Sequence, residues 1–425
     1  LIVAVVVVNL LKAGPPQPSP LHRQAAKACP EHWVGSWEGS PSGLSQTQPL
    51  ANQTVRMIIA PHQGGSTLRV HLTNRFGSAP VTLGPVTVGL RGAGSSLVAG
   101  SERPVTFGGR PTVVIQAGSD AVSDPVKLSF GPFRDLAVSL YVPGAVMNPD
   151  EHFSTRQTSY LTPRGSGDQT AQISSPAFAP TATDGFSTGW YFLDGVDVRA
   201  PGATGAVVTV GDSITDGFQG TSASKEDLST IDTNGRYPDD LERRLEAAGI
   251  PLSVLNAGIS GDELLASGLP TFGPGGVARF GTDALAQAGV TDVIVLEGIN
   301  DVARGATTSR LIAAYEQLIS RAHAAGVAIQ LGTLTPAGRS RQPAYAAVAP
   351  NGVREQVNQW IRTQHFSDGI VDFDAAVRDP KDPNAISPAY DGGDGLHLSL
   401  AGYEAMARAV NLAGLARPNC LPAGG

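Results

Sequence analysis

After about residue 200 the sequence runs as five apolar stretches of strand length, AVVTV, LSVLN, DVIVLEG, AIQLGTL and GIVDF, with helical segments between them. Such alternation leaves few folds open. Strands joined through a helix run parallel, and a parallel sheet must be covered on both faces. Each helical segment carries one apolar face. The first has Leu241, Leu245 and Ala248, with Pro238 near its start and Gly249 just past its end. The second has Leu311, Tyr315, Leu318 and Ala322 before Gly326, and the third has Val353, Val357, Trp360 and Ile361. In such a sheet a ligand binds at the loops that leave the C-terminal ends of the strands.

The front of the chain follows another pattern. From Trp33 to about Tyr160, short runs such as TVRMIIA, LRVHL, VTLGPVTVGL, PTVVIQ, VKLSF and LAVSLYV are broken by Gly, Pro, Asn and Asp. Leu68, Val70 and Leu72 occupy alternate positions, as do Leu136, Val138 and Leu140. Runs about ten residues apart with turns between them predict an antiparallel β-sandwich, jelly-roll-like in type. The expected organisation is a signal or anchor remnant with a Pro-rich linker over 1–30, the sandwich over 31–200 and an α/β domain over 201–425.

A chain of 425 residues is long enough for two cores. Its net charge is −7 and no Lys/Arg block stands out, which argues against nucleic acid as a partner. The opening LIVAVVVVNLL holds ten apolar residues in eleven, too few to span a bilayer alone. It reads as the core of an export signal or as the end of a membrane anchor, so the protein is expected to be secreted or extracytoplasmic. Cys29 and Cys420 are the only cysteines, and in an exported protein they are expected to pair as a disulfide. The alternative is two unrelated thiols. No H-E-x-x-H or C-x-x-C occurs, so neither a metal nor another cofactor is expected. The sequence does not specify an oligomeric state.

The ends of the first three α/β strands read GDSITDG, NAGISGD and GIND, and DGLH stands just before the last helix. The first lacks the G-x-G-x-x-G and G-x-x-x-x-G-K-[ST] patterns of nucleotide loops and the G-x-S-x-G of a nucleophile elbow. It leaves Ser213 at a strand end, where a following helix N-terminus favours developing negative charge. A nucleophilic serine needs a base. Of the eight histidines, His22, His32, His62, His71 and His152 lie outside the α/β half. His323 sits late in a helix, and His365 has no strand-end loop to aim it. His397 lies in the loop YDGGDGLHLS with Asp394 three residues before it, so one turn can set the carboxylate against the imidazole. A plain turn and a calcium loop are the alternatives there, and the ligand spacing of an EF-hand is missing. Donors for an oxyanion can come from the N–H groups of Ser213 and Gly261 and the amide of Asn300. These three loops meet if the first strand lies between the second and the third.

GDSITDG, ISGD, GIND and DGLH, in this order and spacing, resemble the four blocks of the SGNH (GDSL) hydrolase family over roughly residues 205 to 415. The resemblance implies a flavodoxin-like three-layer α/β/α fold and a metal-independent serine esterase. It implies Ser213 as nucleophile, Asp394 and His397 as its triad partners, and an oxyanion hole of Ser213, Gly261 and Asn300. In the front half VGSW, LTNRFG, VTFGG, SDPVKLS and LAVSLYV look similar to the β domain of a bacterial subgroup that includes xylan-associated esterases. The expected substrate is a short acyl, acetyl-type ester on carbohydrate, since no long apolar lid helix is present to favour a lipid. The alternatives are a lipase or broad carboxylesterase and, from another class, a carbohydrate- or wall-binding protein with a vestigial hydrolase half.

Overall fold

The computed structural model of the protein describes residues 30–46, 48–180, 189–222, 225–348 and 352–416. The expected Cys29–Cys420 disulfide and the apolar leader lie outside these residues.

The alternating front half forms two antiparallel sheets packed face to face. In the first, His32–Glu38, Leu193–Ala200, Gly65–Asn74 and Val126–Phe130 lie in that order, with Ser119–Val122 also paired to Gly65–Asn74. In the second, Leu50–Ile59 and Leu136–Val146 pair at the centre, flanked by Tyr160–Leu161 and Val86–Leu90. Alternation does what the pleat requires: Leu68, Val70 and Leu72 from one sheet and Val55, Met57, Val138 and Leu140 from the other are fully buried in a shared core. Trp37 and Trp190 meet edge to face in the same core at 4.7 Å. The strand Leu193–Ala200 is not apparent in the sequence, because LDGVDVRA interleaves two Asp and a Gly with its apolar residues. Asp197 is accommodated because Arg69 and His71 of the neighbouring strand donate to it. A third, small sheet joins Trp190–Tyr191, Asp150–His152 and Gly43–Leu44.

The α/β half has five parallel strands: Gly205–Gly211 (β1), Leu252–Gly258 (β2), Val290–Leu296 (β3), Ala328–Gly332 (β4) and Gly369–Val371 (β5). Their order in the sheet is β2-β1-β3-β4-β5, so the first strand does lie between the second and the third. The last strand is shorter than GIVDF suggests, because Asp372 caps the next helix by accepting from the Ala375 N–H.

The helices are Ser213–Asp216 (α1), Tyr237–Ala247 (α2), Gly276–Phe280 (α3), Ile299–Ala303 (α4), Thr308–Ala324 (α5), Pro343–Val348 (α6), Val353–Thr363 (α7), Phe373–Val377 (α8) and Leu400–Ala409 (α9). Helix α9 packs with α2 and α8, and α5 packs with α3 and α7, giving the layers above and below the sheet. Apolar spacing explains which faces are covered. Leu241 and Leu245 of α2, and Leu311, Tyr315, Leu318 and Ala322 of α5, are buried in one core with Val207, Val208 and Val210. Ala248 is the exception, exposed at the C-cap of α2. Val34 and Ala200, from the first and last sandwich strands, are buried in this α/β core as well. Among the described residues no helix is long and apolar enough to cross a membrane.

Candidate active site

Strand β1 ends at Gly211, in register with Gly258 of β2 and Leu296 of β3. The loops that follow these three strands therefore leave the sheet side by side. Small residues are required there. A Cβ on Gly211 would stand 2.3 Å from the Leu296 carbonyl oxygen, and one on Gly258 would stand 2.2 Å from the Asp216 nitrogen. Asp212 caps α1 by accepting from the Ile214 N–H at 2.9 Å, and Ser213 opens the helix. The chain then turns at Gly217, whose φ of 93° suits glycine.

The loop after β5 and α8 brings the base to this serine. Asp391 accepts from the Gly393 and Gly395 N–H groups, folding DGGDG into a compact turn. Asp394 Oδ1 accepts from the N–H groups of Leu396 and His397, while its Oδ2 lies 2.7 Å from His397 Nδ1. Burial would raise the Asp394 carboxyl, but its bonds from His397 and Leu396 outweigh this and hold it below the ordinary carboxylate range. An ionised carboxylate only accepts, so His397 Nδ1 carries the hydrogen and Nε2 is free to accept. Ser213 Oγ lies 2.9 Å from that Nε2. The Phe218 ring packs on the imidazole at 4.7 Å. Gly220 lies so close that a Cβ there would stand 2.0 Å from Asp394 Oδ2. Thus Ser213, His397 and Asp394 are brought into one hydrogen-bonded chain.

Gly261 and Asn300 are held in the adjoining loops. Gly261 has φ of 85°, with the Phe272 ring packed against its α-carbon. Among the described residues neither the Ser213 nor the Gly261 N–H donates to a protein acceptor. The Asn300 amide has its two ends fixed by different chemistry. Nδ2 donates to the Asp262 carbonyl at 2.5 Å, and Oδ1 accepts from the Tyr345 hydroxyl of α6 at 2.6 Å. Asp301 Oδ2 and Oδ1 accept from the N–H groups of Leu264 and Leu265, clamping the second loop to the third.

Arg279 of α3 pins all three loops. Its guanidinium donates to the carbonyls of Gly211 and Ala257 and to the carboxylates of Asp262 and Glu297. Beneath the loops the acidic side chains are crowded and dry. Burial, with added repulsion from Glu297, pushes Asp262 well above the usual range, even though Arg279 faces it. Burial also pushes Asp212 up to about 8 and Asp301 up to about 6.

Three contributors were not legible in the sequence. Arg279 is one basic residue in a glycine-rich stretch, and Tyr345 belongs to no recognised block. His152 lies in the front half, away from every strand-end block, yet its Nε2 stands 3.2 Å from Asp216 of α1. His62 crosses in the same way, with Nε2 2.8 Å from Asp239 of α2.

Residues 209–405 match the sequence model of the GDSL-like lipase/acylhydrolase family. No curated protein sequence matches the chain. Among solved structures, a family two carbohydrate esterase from Clostridium thermocellum, in complex with cellohexaose, is 15% identical. The match covers 89% of this chain and 96% of that one, with a TM-score of 0.36. A carbohydrate acetylesterase family member from Sinorhizobium meliloti is 20% identical over 48% of this chain and 95% of its own, with a TM-score of 0.38. An aryl esterase from M. smegmatis is 15% identical over 48% and 95%, with a TM-score of 0.39.

Proposed function

We propose that this chain, whose residues 209–405 match the GDSL-like lipase/acylhydrolase family, hydrolyses short acyl esters carried on carbohydrate through an acyl-enzyme on Ser213. The observation that carries the reading is the chain from Ser213 Oγ to His397 Nε2 at 2.9 Å and from His397 Nδ1 to Asp394 Oδ2 at 2.7 Å. His397 takes the serine proton as Oγ attacks the ester carbonyl, and Asp394 keeps the ring oriented and stabilises the imidazolium. The carbonyl oxygen, now negative, accepts from the N–H groups of Ser213 and Gly261 and from the Asn300 amide. Collapse of the tetrahedral intermediate breaks the bond to the alcohol oxygen, and His397 returns the proton to it. Water then repeats the sequence on the acyl-enzyme, releasing the acid and restoring Ser213.

A sugar-borne acyl group is favoured by the likeness of the front half to the β domain of xylan-associated esterases. The half-exposed Phe272 beside Gly261 also offers a flat apolar face to a sugar ring. Export is part of the same reading, supported by the apolar opening of the chain.

Two measurements test the proposal. Ser213→Ala should fold normally, with ester hydrolysis and fluorophosphonate labelling both abolished; labelling that persists in this variant removes Ser213 as nucleophile. On p-nitrophenyl esters of increasing chain length, turnover should be highest for acetate and should extend to acetylated polysaccharide. Turnover that rises with chain length would instead identify a lipase.

A further inference from the structure

Asp216, the last residue of α1, joins two parts of the site. Its Oδ2 accepts from the Ser260 N–H at 3.1 Å and from the Ser260 hydroxyl at 2.5 Å. Ser260 immediately precedes Gly261. The helix that begins with Ser213 is therefore tied through its other end to the loop that presents the Gly261 N–H.

The remaining oxygen of this carboxylate is served from the other half of the molecule. His152 closes the strand Asp150–His152 of the small sheet, and its Nε2 is 3.2 Å from Asp216 Oδ1. Among the described residues no other hydrogen-bond partner of that oxygen is found. The imidazole has little room to turn. Its Nδ1 lies 2.6 Å from the Ser40 carbonyl, Trp190 packs on the ring at 5.2 Å, and the residue is 3% exposed. A carbonyl and a carboxylate both only accept, so each ring nitrogen carries a hydrogen, as in an imidazolium: Nδ1–H donates to the Ser40 carbonyl and Nε2–H to Asp216 Oδ1. Asp216 itself is 2% exposed, so losing His152 would leave a buried carboxylate oxygen without a donor.

We infer that His152 is a positioning residue for the oxyanion loop: through Asp216 and Ser260, the β-sandwich half fixes where the Gly261 N–H points. The inference rests on the roles proposed above for Ser213 and Gly261. The physical reason is that a donor aimed at the transition-state oxygen loses its effect when its loop moves by a fraction of an ångström, whereas ground-state binding hardly registers the shift.

The test uses the full chain with three variants. His152→Ala should lower kcat by about 10- to 100-fold with KM changed less than about twofold, since a displacement of about 1 Å remote from the chemistry costs up to this much. His152→Gln places an amide donor near the position of Nε2, facing Asp216, and should recover most of kcat. His152→Asn places its donor near the position of Nδ1, facing only Ser40, and should not. Loss of packing alone would lower thermal stability without separating Gln from Asn, and that result overturns the inference. So does a normal kcat in His152→Ala. Should His152→Ala fail to fold, the Gln and Asn pair still decides. Ser213→Ala is measured in parallel. If it is inactive while the His152 variants turn over normally, only the role of His152 falls; if it remains active, the Ser213 reading falls first.

Discussion

The two sides of Ser213 treat carboxyl groups in opposite ways. On the base side Asp394 is wrapped by N–H donors and held below its ordinary range, so it stays ionised beside the imidazole. On the oxyanion side Asp212, Asp262 and Asp301 are buried beneath three loops and pushed upward. The contrast has a chemical logic. A positive imidazolium develops beside Asp394 and is stabilised by its charge, whereas beneath the loops, where negative charge develops, burial disfavours the charged form of the carboxyl groups. One side is built to hold an anion and the other to receive one.

The largest expected effect comes from the base side. Asp394→Asn replaces an acceptor with an amide that can offer a hydrogen to Nδ1, which favours the wrong imidazole tautomer. A fall in kcat of about 10⁴-fold is expected, by analogy with the same substitution in other serine hydrolases. A variant that keeps more than about a tenth of wild-type kcat would remove Asp394 from the role assigned to it.

Next comes the oxyanion side. Asn300→Ala should reduce kcat by about 100- to 1,000-fold with little change in KM, because the amide's target carries full charge only in the transition state. Steady-state kinetics and a thermal melt on the same preparation separate this from a turn-shaping role. In the latter case stability falls in step with activity.

The smallest effect sharpens the electrostatic contrast itself. Asp212 has its folded pKa raised to about 8, above an ordinary value of about 3.9. Its contribution to stability is therefore fully present below about pH 4 and is lost as pH rises through about 8. Asp394, held low, has the opposite sign: its contribution is present above about pH 4 and lost in acid. Asp212→Asn keeps an acceptor for the Ile214 N–H and removes the titration. The melting temperature of the variant relative to wild type should climb between pH 5 and 8. A difference that is constant across this range would mean that Asp212 carries no such shift.

What could be read from the sequence was local. Alternating apolar positions gave the sandwich strands, and 3.6-residue spacing gave the covered faces of α2, α5 and α7, because burial acts on neighbours along the chain. Asp394 and His397 could be paired on paper because three residues and a tight turn separate them. Asp216, Arg279 and Tyr345 could not be placed this way. Arg279 meets the Gly211 carbonyl across 68 positions, Tyr345 meets Asn300 across 45, and His152 meets Asp216 across 64 and between two halves of different architecture. The sequence by itself determined most of the apolar runs that become strands, their parallel or antiparallel grammar, and the four short blocks with their chemistry. Only the tertiary structure decided that β1 lies between β2 and β3, that one guanidinium pins three loops, and that a histidine of the sandwich supports the nucleophile's helix. The reason is physical: backbone pattern is set by contacts within a few residues, whereas a buried polar group takes whichever partner the packed fold brings within about 3 Å.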